Sequence, residues 1–220
     1  MEKKLIIANW KSNKNTVEVH EFFTVFSERI LELNLENKEL VIAPSFQLLS
    51  LCKELIQLHA LPIKLSAQNI SAFGVGPFTG EISAFQVREF CDMTIIGHSE
   101  RRDLLSEHNE TLQKKAQEAR SNNLEVVYCV QNEAQIIPEG VQCVAYEPPT
   151  AIGSGTPAEP DHVEAVFGDI QKKFSGKILY GGSVKPENVR DYIHIASCNG
   201  LLIGGASLDA NTLGDLLLQW

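Results

Sequence analysis

Glu147 follows the apolar run Val144-Ala145-Tyr146 and precedes Pro148 and Pro149, so a carboxylate stands at the end of a strand-like segment on stiffened backbone. A carboxylate held there can take a proton from a substrate carbon and return it to the neighbouring one. The same placement also suits a rim carboxylate in a salt bridge. His98 ends another apolar run, and the Ser99-Glu100 that follows suits a first helical turn. An imidazole in that position is either a proton donor or an ordinary packed histidine. Gly181-Gly182-Ser183 and Gly204-Gly205 each follow an apolar run and lead toward a helical one. Glycine lets the main chain approach an oxyanion, and a helix start supplies free N–H donors. Together the two pairs read as a phosphate cradle; either alone reads as a turn. Lys11 follows the first run, where spacing alone describes a solvated lysine. Cysteines at 52, 91, 129, 143 and 198 make an odd count without CxxC spacing. They read as reduced thiols in the cytosol, mostly core residues, and not as a metal site.

These groups need elements that carry them to one place. Short apolar runs recur at Leu5–Ala8, Leu40–Ala43, Ile63–Ala67, Met93–Ile96, Glu125–Val130, Cys143–Tyr146, Lys177–Tyr180 and Gly200–Ile203. The repeat averages about 27 residues, the size of a strand, a turn and a crossover helix. Between the runs, Val19, Phe22, Phe23, Phe26 and Ile30 repeat at helical spacing, as do Leu48, Leu51, Cys52 and Leu55. Asn109 to Arg120 is rich in good helix formers. Nearly continuous apolarity fits parallel strands covered on both faces. The expected fold is α/β, one closed (β/α)8 barrel over residues 1–220, with an open doubly wound sheet as the competitor. One unit is short: Gln131 to Val141, with Pro138 and Gly140, is too brief for a turn, a helix and a second turn. In such barrels the loops after the strands carry the chemistry, so the groups above are expected on one rim.

The composition, 44% hydrophobic and 21% charged, is that of a folded globular chain and excludes a disordered or collagen-like one. No apolar run reaches the length of a membrane span, and the start, though basic, has too short an apolar stretch for a secretory signal. A net charge of −9 argues against nucleic acid or an anionic membrane as the main partner. It leaves open a small anionic substrate, which local groups would hold.

The strings Ala8–Asn13 (ANWKSN), Gly97–Arg102 (GHSERR), Ala145–Pro148 (AYEP), Ala151–Gly155 (AIGSG), Tyr180–Val184 (YGGSV) and Gly204–Ser207 (GGAS) occur in that order, each at a strand end. In this they resemble the triosephosphate isomerase family, from Lys4 to about Leu208. The resemblance implies a TIM barrel that interconverts dihydroxyacetone phosphate and D-glyceraldehyde 3-phosphate through an enediolate, in glycolysis and gluconeogenesis, in the cytoplasm, without a metal or organic cofactor. It implies Glu147 as base, His98 as a neutral electrophile at a helix N-terminus, and Lys11 with Asn9 as the polar groups on substrate. Glu100 is implied as a supporting or proton-relay carboxylate near the lysine, and Ser99 as a helper through its hydroxyl. The phosphate grip falls to Ser183, Gly204 and Gly205, with Gly153 closing from a lid. The five other histidines are expected on the surface or in packing.

The lid comprises a first hinge, Pro148-Pro149-Thr150, a small-residue tip, Ala151-Ile152-Gly153-Ser154-Gly155, and a second hinge, Thr156-Pro157-Ala158. Closure excludes water and keeps the enediolate from losing phosphate. Tyr180 and Ser183 are implied as its latch. Both hinges depart from the family pattern, which has an aliphatic residue and tryptophan after the first proline and a lysine-threonine-alanine type of second hinge. Gln131-Asn132 replaces the usual Gly-Glu. Ile70 to Gly80 is a long loop carrying Phe73, Val75 and Phe78, which suits an interface anchor or a loop folded onto its own barrel. By resemblance it enters a neighbouring subunit and makes a homodimer, with Thr79 reaching across and Arg101 and Glu81 bracing the loop. The short fifth unit is expected to expose a flank that could support a tetramer instead.

Two competing readings remain at this stage. An aldolase, epimerase or indole-pathway isomerase would share the phosphate glycines but needs a Schiff-base lysine, a metal set or a different acid pair. A non-catalytic phosphate binder would have lost Glu147, His98 or Lys11, and all three are present.

Overall fold

The structure, a computed structural model, describes residues 3–151 and 156–220. Eight parallel strands run in order: β1 (Lys4–Asn9), β2 (Lys38–Ala43), β3 (Ile63–Ala67), β4 (Met93–Ile96), β5 (Glu125–Val130), β6 (Cys143–Tyr146), β7 (Lys177–Tyr180) and β8 (Gly200–Ile203). Each pairs with the next, and β8 pairs back onto β1, so the sheet closes into a (β/α)8 barrel and the open sheet is excluded. The helices are α1 (Thr16–Arg29), α2 (Leu49–Leu58), α3 (Ala84–Val87), α4 (Ser99–Leu105), α5 (Asn109–Ser121), α6 (Pro160–Gln171), α7 (Val189–Ile193) and α8 (Ala210–Gln219). Helix α1 begins with a capping box: Asn15 accepts the N–H of Glu18, and the Glu18 carboxylate accepts that of Asn15.

The two-residue period of a strand divides the core into two layers. Leu5, Ile7, Val41, Ala43, Met93, Ile95, Val127, Cys129, Cys143, Ala145, Leu179 and Leu202 fill the inside of the barrel. Their neighbours, such as Ile6, Ala8, Leu40, Ile42, Tyr128, Val144 and Leu201, face the helices in the outer layer. All five cysteines are buried and free.

The barrel closes where β1 meets β8, and Leu5 lies opposite Gly200. A Cβ on Gly200 would stand 1.8 Å from the carbonyl oxygen of Leu5. That neighbour is backbone in a paired strand and cannot turn aside. Gly200→Ala is expected to cost about 3 kcal/mol, at the upper end for overpacking. Urea unfolding should show a lower midpoint with an unchanged slope.

The fifth unit is short as expected: residues 131–142 carry turns and no helix. Side chains hold it instead. Gln135 accepts the Gln131 N–H, Lys173 donates to the carbonyls of Glu133 and Gln135, and Gln142 accepts the Val126 N–H at 2.9 Å. The flank does not open. Tyr128 and Tyr146, facing outward from β5 and β6, are only 1% and 3% exposed. Tyr146 packs edge-on against Phe167, and the Arg102 guanidinium lies 5.3 Å over the Tyr128 ring. The outward faces of β5 and β6 are thus covered by side chains of the neighbouring units and are not bare, contrary to the expectation of an exposed flank.

Candidate active site

The inward phase of each strand, continued past its last paired residue, delivers the polar rim. Leu5 and Ile7 lead to Asn9 and then Lys11; Cys143 and Ala145 lead to Glu147; Leu179 leads to Gly181; Leu202 leads to Gly204. Glu147 is 1% exposed and Asn9 5%. A cavity of about 560 Å³ is bordered by Asn9, Lys11, His98, Glu147, Ser183, Gly204 and Gly205 among others. Glycine keeps it clear: a Cβ on Gly204 would lie 3.2 Å from Lys11 Cε, and one on Gly181 would lie 3.0 Å from Glu147 Cγ.

Lys11 has a left-handed backbone, φ 53°, which is costly for a lysine and persists only if its surroundings impose it. They do so from three sides. Asn9 Oδ1 accepts the Lys11 N–H at 3.1 Å, and Gln68 Nε2 donates to the carbonyls of Lys11 and Ala43, each at 2.8 Å. Trp10, fully buried, donates its ring N–H to the Ser207 carbonyl at 3.1 Å and meets Phe22 edge-on at 4.8 Å. The loop after β1 is thereby tied to the short 3-10 turn Gly205–Ser207 after β8. The first N–H groups of that turn have no acceptor within it, which suits them to an anion. Lys11 Nζ contacts Glu100 Oε1 at 2.5 Å.

Gly97, at φ 70°, turns the chain out of strand phase, so that His98 becomes the N-cap of α4. Its Nδ1 accepts the Glu100 N–H at 3.2 Å. That bond needs a lone pair on Nδ1 and therefore assigns the ring proton of a neutral imidazole to Nε2. Nε2 lies 2.9 Å from Glu147 Oε1. The pair is close but not aligned as a hydrogen bond, and Oε1 is buried without a donor. Oε2 accepts the Ser99 N–H at 2.7 Å. A buried carboxylate with one oxygen held and the other unpartnered is poised to take a proton. Ser99 engages Glu147 through its main chain, while its hydroxyl is buried without a partner. Beneath the carboxylate, burial and then the Glu147 charge push the Cys129 thiol well above its usual pKa.

After Glu147, the Ala151 N–H bonds the Pro148 carbonyl at 2.9 Å and closes a turn through Pro149 and Thr150. Ser183 Oγ donates to the Ala151 carbonyl at 2.7 Å. At the far flank, beyond Thr156 and Pro157, Tyr180 accepts the Ala158 N–H at 3.0 Å. Ile152, Gly153, Ser154 and Gly155 lie outside the described residues.

In the third loop the rings of Phe73 and Phe78 stack on each other, 4.5 Å apart, and Val75 and Thr79 are exposed. The Glu81 N–H bonds the Phe78 carbonyl, while Arg101 pairs with Glu107 at 3.1 Å. Glu107 also pairs with Lys115, which donates to Asn69 at 2.6 Å, so a buried charged cluster underlies the loop. Glu107 and Lys115 each hold part of this rim, and nothing in their spacing pointed to them. Among the described residues, no three His, Cys, Asp or Glu side chains converge to hold a metal, and no helix is long and apolar enough to cross a membrane.

A family model described as triosephosphate isomerase matches residues 4–219. Curated proteins named triosephosphate isomerase align along nearly their whole length. The one from Mesomycoplasma hyopneumoniae strain 7448 is 35% identical, over 99% of this chain and 99% of its own. That from Dictyoglomus turgidum is 34% identical over 99% of both, and that from Aquifex aeolicus 34% over 99% of this chain and 100% of its own. A closed eight-stranded barrel, a strand-end rim facing one cavity and full-length similarity agree, and the chain belongs to the triosephosphate isomerase family of isomerases.

Proposed function

We propose that the protein interconverts dihydroxyacetone phosphate and D-glyceraldehyde 3-phosphate in glycolysis and gluconeogenesis, in the cytoplasm. The observation that carries the proposal is the common cavity of Glu147, His98 and Lys11, bordered by Ser183, Gly204 and Gly205. Glu147 Oε1 takes a proton from the carbon beside the carbonyl and returns it to the adjacent carbon. The Nε2–H of neutral His98 donates to the two substrate oxygens in turn, and the Lys11 ammonium offsets the charge that develops on them. His98 Nε2 and Glu147 Oε1, 2.9 Å apart, must separate to admit substrate, and no aligned hydrogen bond between them opposes that movement. Asn9 fixes Lys11 and borders the substrate, and Glu100 holds the ammonium in register. The phosphate sits on the N–H groups of Ser183, Gly204 and Gly205.

Residues 148–158 form the lid in this reading, anchored by Ser183 at Ala151 and by Tyr180 at Ala158. A coupled assay in each direction tests the activity. No turnover above the Glu147→Gln control would favour a phosphate binder, and covalent capture of ketone substrate on a lysine by borohydride would favour an aldolase.

The exposed, mutually stacked Phe73 and Phe78, with Val75 beside them, support a homodimer through the third loop, with Thr79, Glu81 and Arg101 at the contact. Sedimentation is expected to give about twice the chain mass, and Phe73→Asp to shift it to the monomer. A wild-type monomer at micromolar concentration would remove the interface.

A further inference from the structure

Ala158, the last residue before the turn into α6, is buried, and both of its main-chain polar groups are bonded to side chains. Tyr180, at the end of β7, accepts its N–H at 3.0 Å. Tyr192, on α7, donates its hydroxyl to the Ala158 carbonyl at 2.7 Å. The two rings stack with centroids 4.0 Å apart and planes within 16°. Both tyrosines are essentially fully buried. The N–H and C=O of Ala158 belong to successive peptide groups, so the bond to Tyr180 holds the plane before its Cα and the bond from Tyr192 holds the plane after it. Burial, and then the neighbouring Tyr180 phenol, raise the Tyr192 pKa far above its ordinary value, so the hydroxyl remains a donor at any working pH.

We infer that Tyr192 is a positioning residue, whose hydrogen bond to the Ala158 carbonyl fixes the chain at the second lid hinge, Thr156-Pro157-Ala158, and so determines how well the enediolate is retained. The inference rests on the isomerase and lid readings above. Its chemistry is a leak. In an uncovered site the C1 oxyanion becomes a carbonyl, the C1–C2 double bond shifts to C2–C3, and the C3–O bond breaks. Phosphate departs, and the remaining enol tautomerises to methylglyoxal. A ring without the hydroxyl fills the same space and keeps the stacking, so packing alone does not require a tyrosine at this position.

The test is Tyr192→Phe, read in two ways. Inorganic phosphate released per isomerisation is expected to rise about tenfold, with kcat down by a similar factor and KM changed much less, the scale of one lost buried hydrogen bond. Hydrogen exchange of the Ala158 amide is expected to quicken about tenfold in the protein without substrate. Unchanged leak overturns the inference, and so does unchanged exchange. Should Tyr192→Phe fail to fold, 3-fluorotyrosine at 192 keeps the ring and strengthens the donor. Slower exchange supports the inference, and exchange that does not move overturns it. A wild-type protein that does not isomerise triose phosphates defeats the functional reading, while the exchange measurement still decides whether Tyr192 holds Ala158.

Discussion

Glu147→Gln is expected to lower kcat by about 10³-fold, the middle of the range for loss of a positioned general base, with KM within about threefold of the parent. The amide is isosteric, so its oxygen can still accept the Ser99 N–H and the fold is retained. Its NH₂ group then faces His98 Nε2, which bears the imidazole proton because Nδ1 accepts from Glu100. Two donors meet, so in the proposed mechanism the substitution would disturb the electrophile as well as remove the base. Glu147→Asp separates these effects. It keeps the charge and retracts the carboxylate by about 1 Å, a displacement that can cost about 10²-fold on its own. The melting temperature of Glu147→Gln should equal or exceed that of the parent, since a buried carboxylate with one unpartnered oxygen is held at the expense of stability. A Gln variant within tenfold of the parent rate would show that the proton goes elsewhere.

The barrel was legible because it is written in local chemistry. Each run of β-branched and aliphatic residues became a strand, and the observed β3 to β8 begin and end where those runs do. The missing crossover helix of the fifth unit was legible too, since no helix fits between Val130 and Cys143 around Pro138 and Gly140. What covers that gap was not. Tyr128 and Tyr146 read as ordinary strand residues, and only the folded chain shows Phe167 and Arg102 packed on their outward faces. The rim was legible as a set of strand ends and motifs, but its internal bonding depends on residues distant in sequence. Gln68 clamps Lys11 from 57 positions away, and Tyr192 reaches Ala158 from 34. No periodicity marks such residues, because a side chain that bonds a remote carbonyl leaves no trace in its own neighbourhood. Ser99 shows the same limit: its residue type pointed to the hydroxyl, whereas the group on Glu147 is its amide, which every residue but proline possesses.

Lys11→Met is expected to lower kcat/KM by about 10³-fold, within the range for removing one charge-stabilising group and with a raised KM as part of the loss. The protein carries a net charge of −9, and its substrate in this reading is close to a dianion, so binding depends on local positive charge at the reacting end. Methionine has similar length and an unbranched apolar stem, so the change is chiefly electrostatic. It also strips Glu100 of its partner and leaves a carboxylate beside the cavity mouth that repels the incoming anion. That second effect can be isolated. Lys11→Met with Glu100→Gln should recover part of the KM defect and none of the kcat defect if, as proposed, Glu100 acts only on the substrate's approach and Lys11 also acts on the charge formed during the reaction. Salt provides a further discriminator. The parent's kcat/KM should fall as ionic strength rises, and the Lys11→Met value should fall less or not at all, since the attraction being screened has been removed. Equal salt sensitivity in both proteins would assign the steering to other cations and leave Lys11 a role confined to the loop it shares with Trp10.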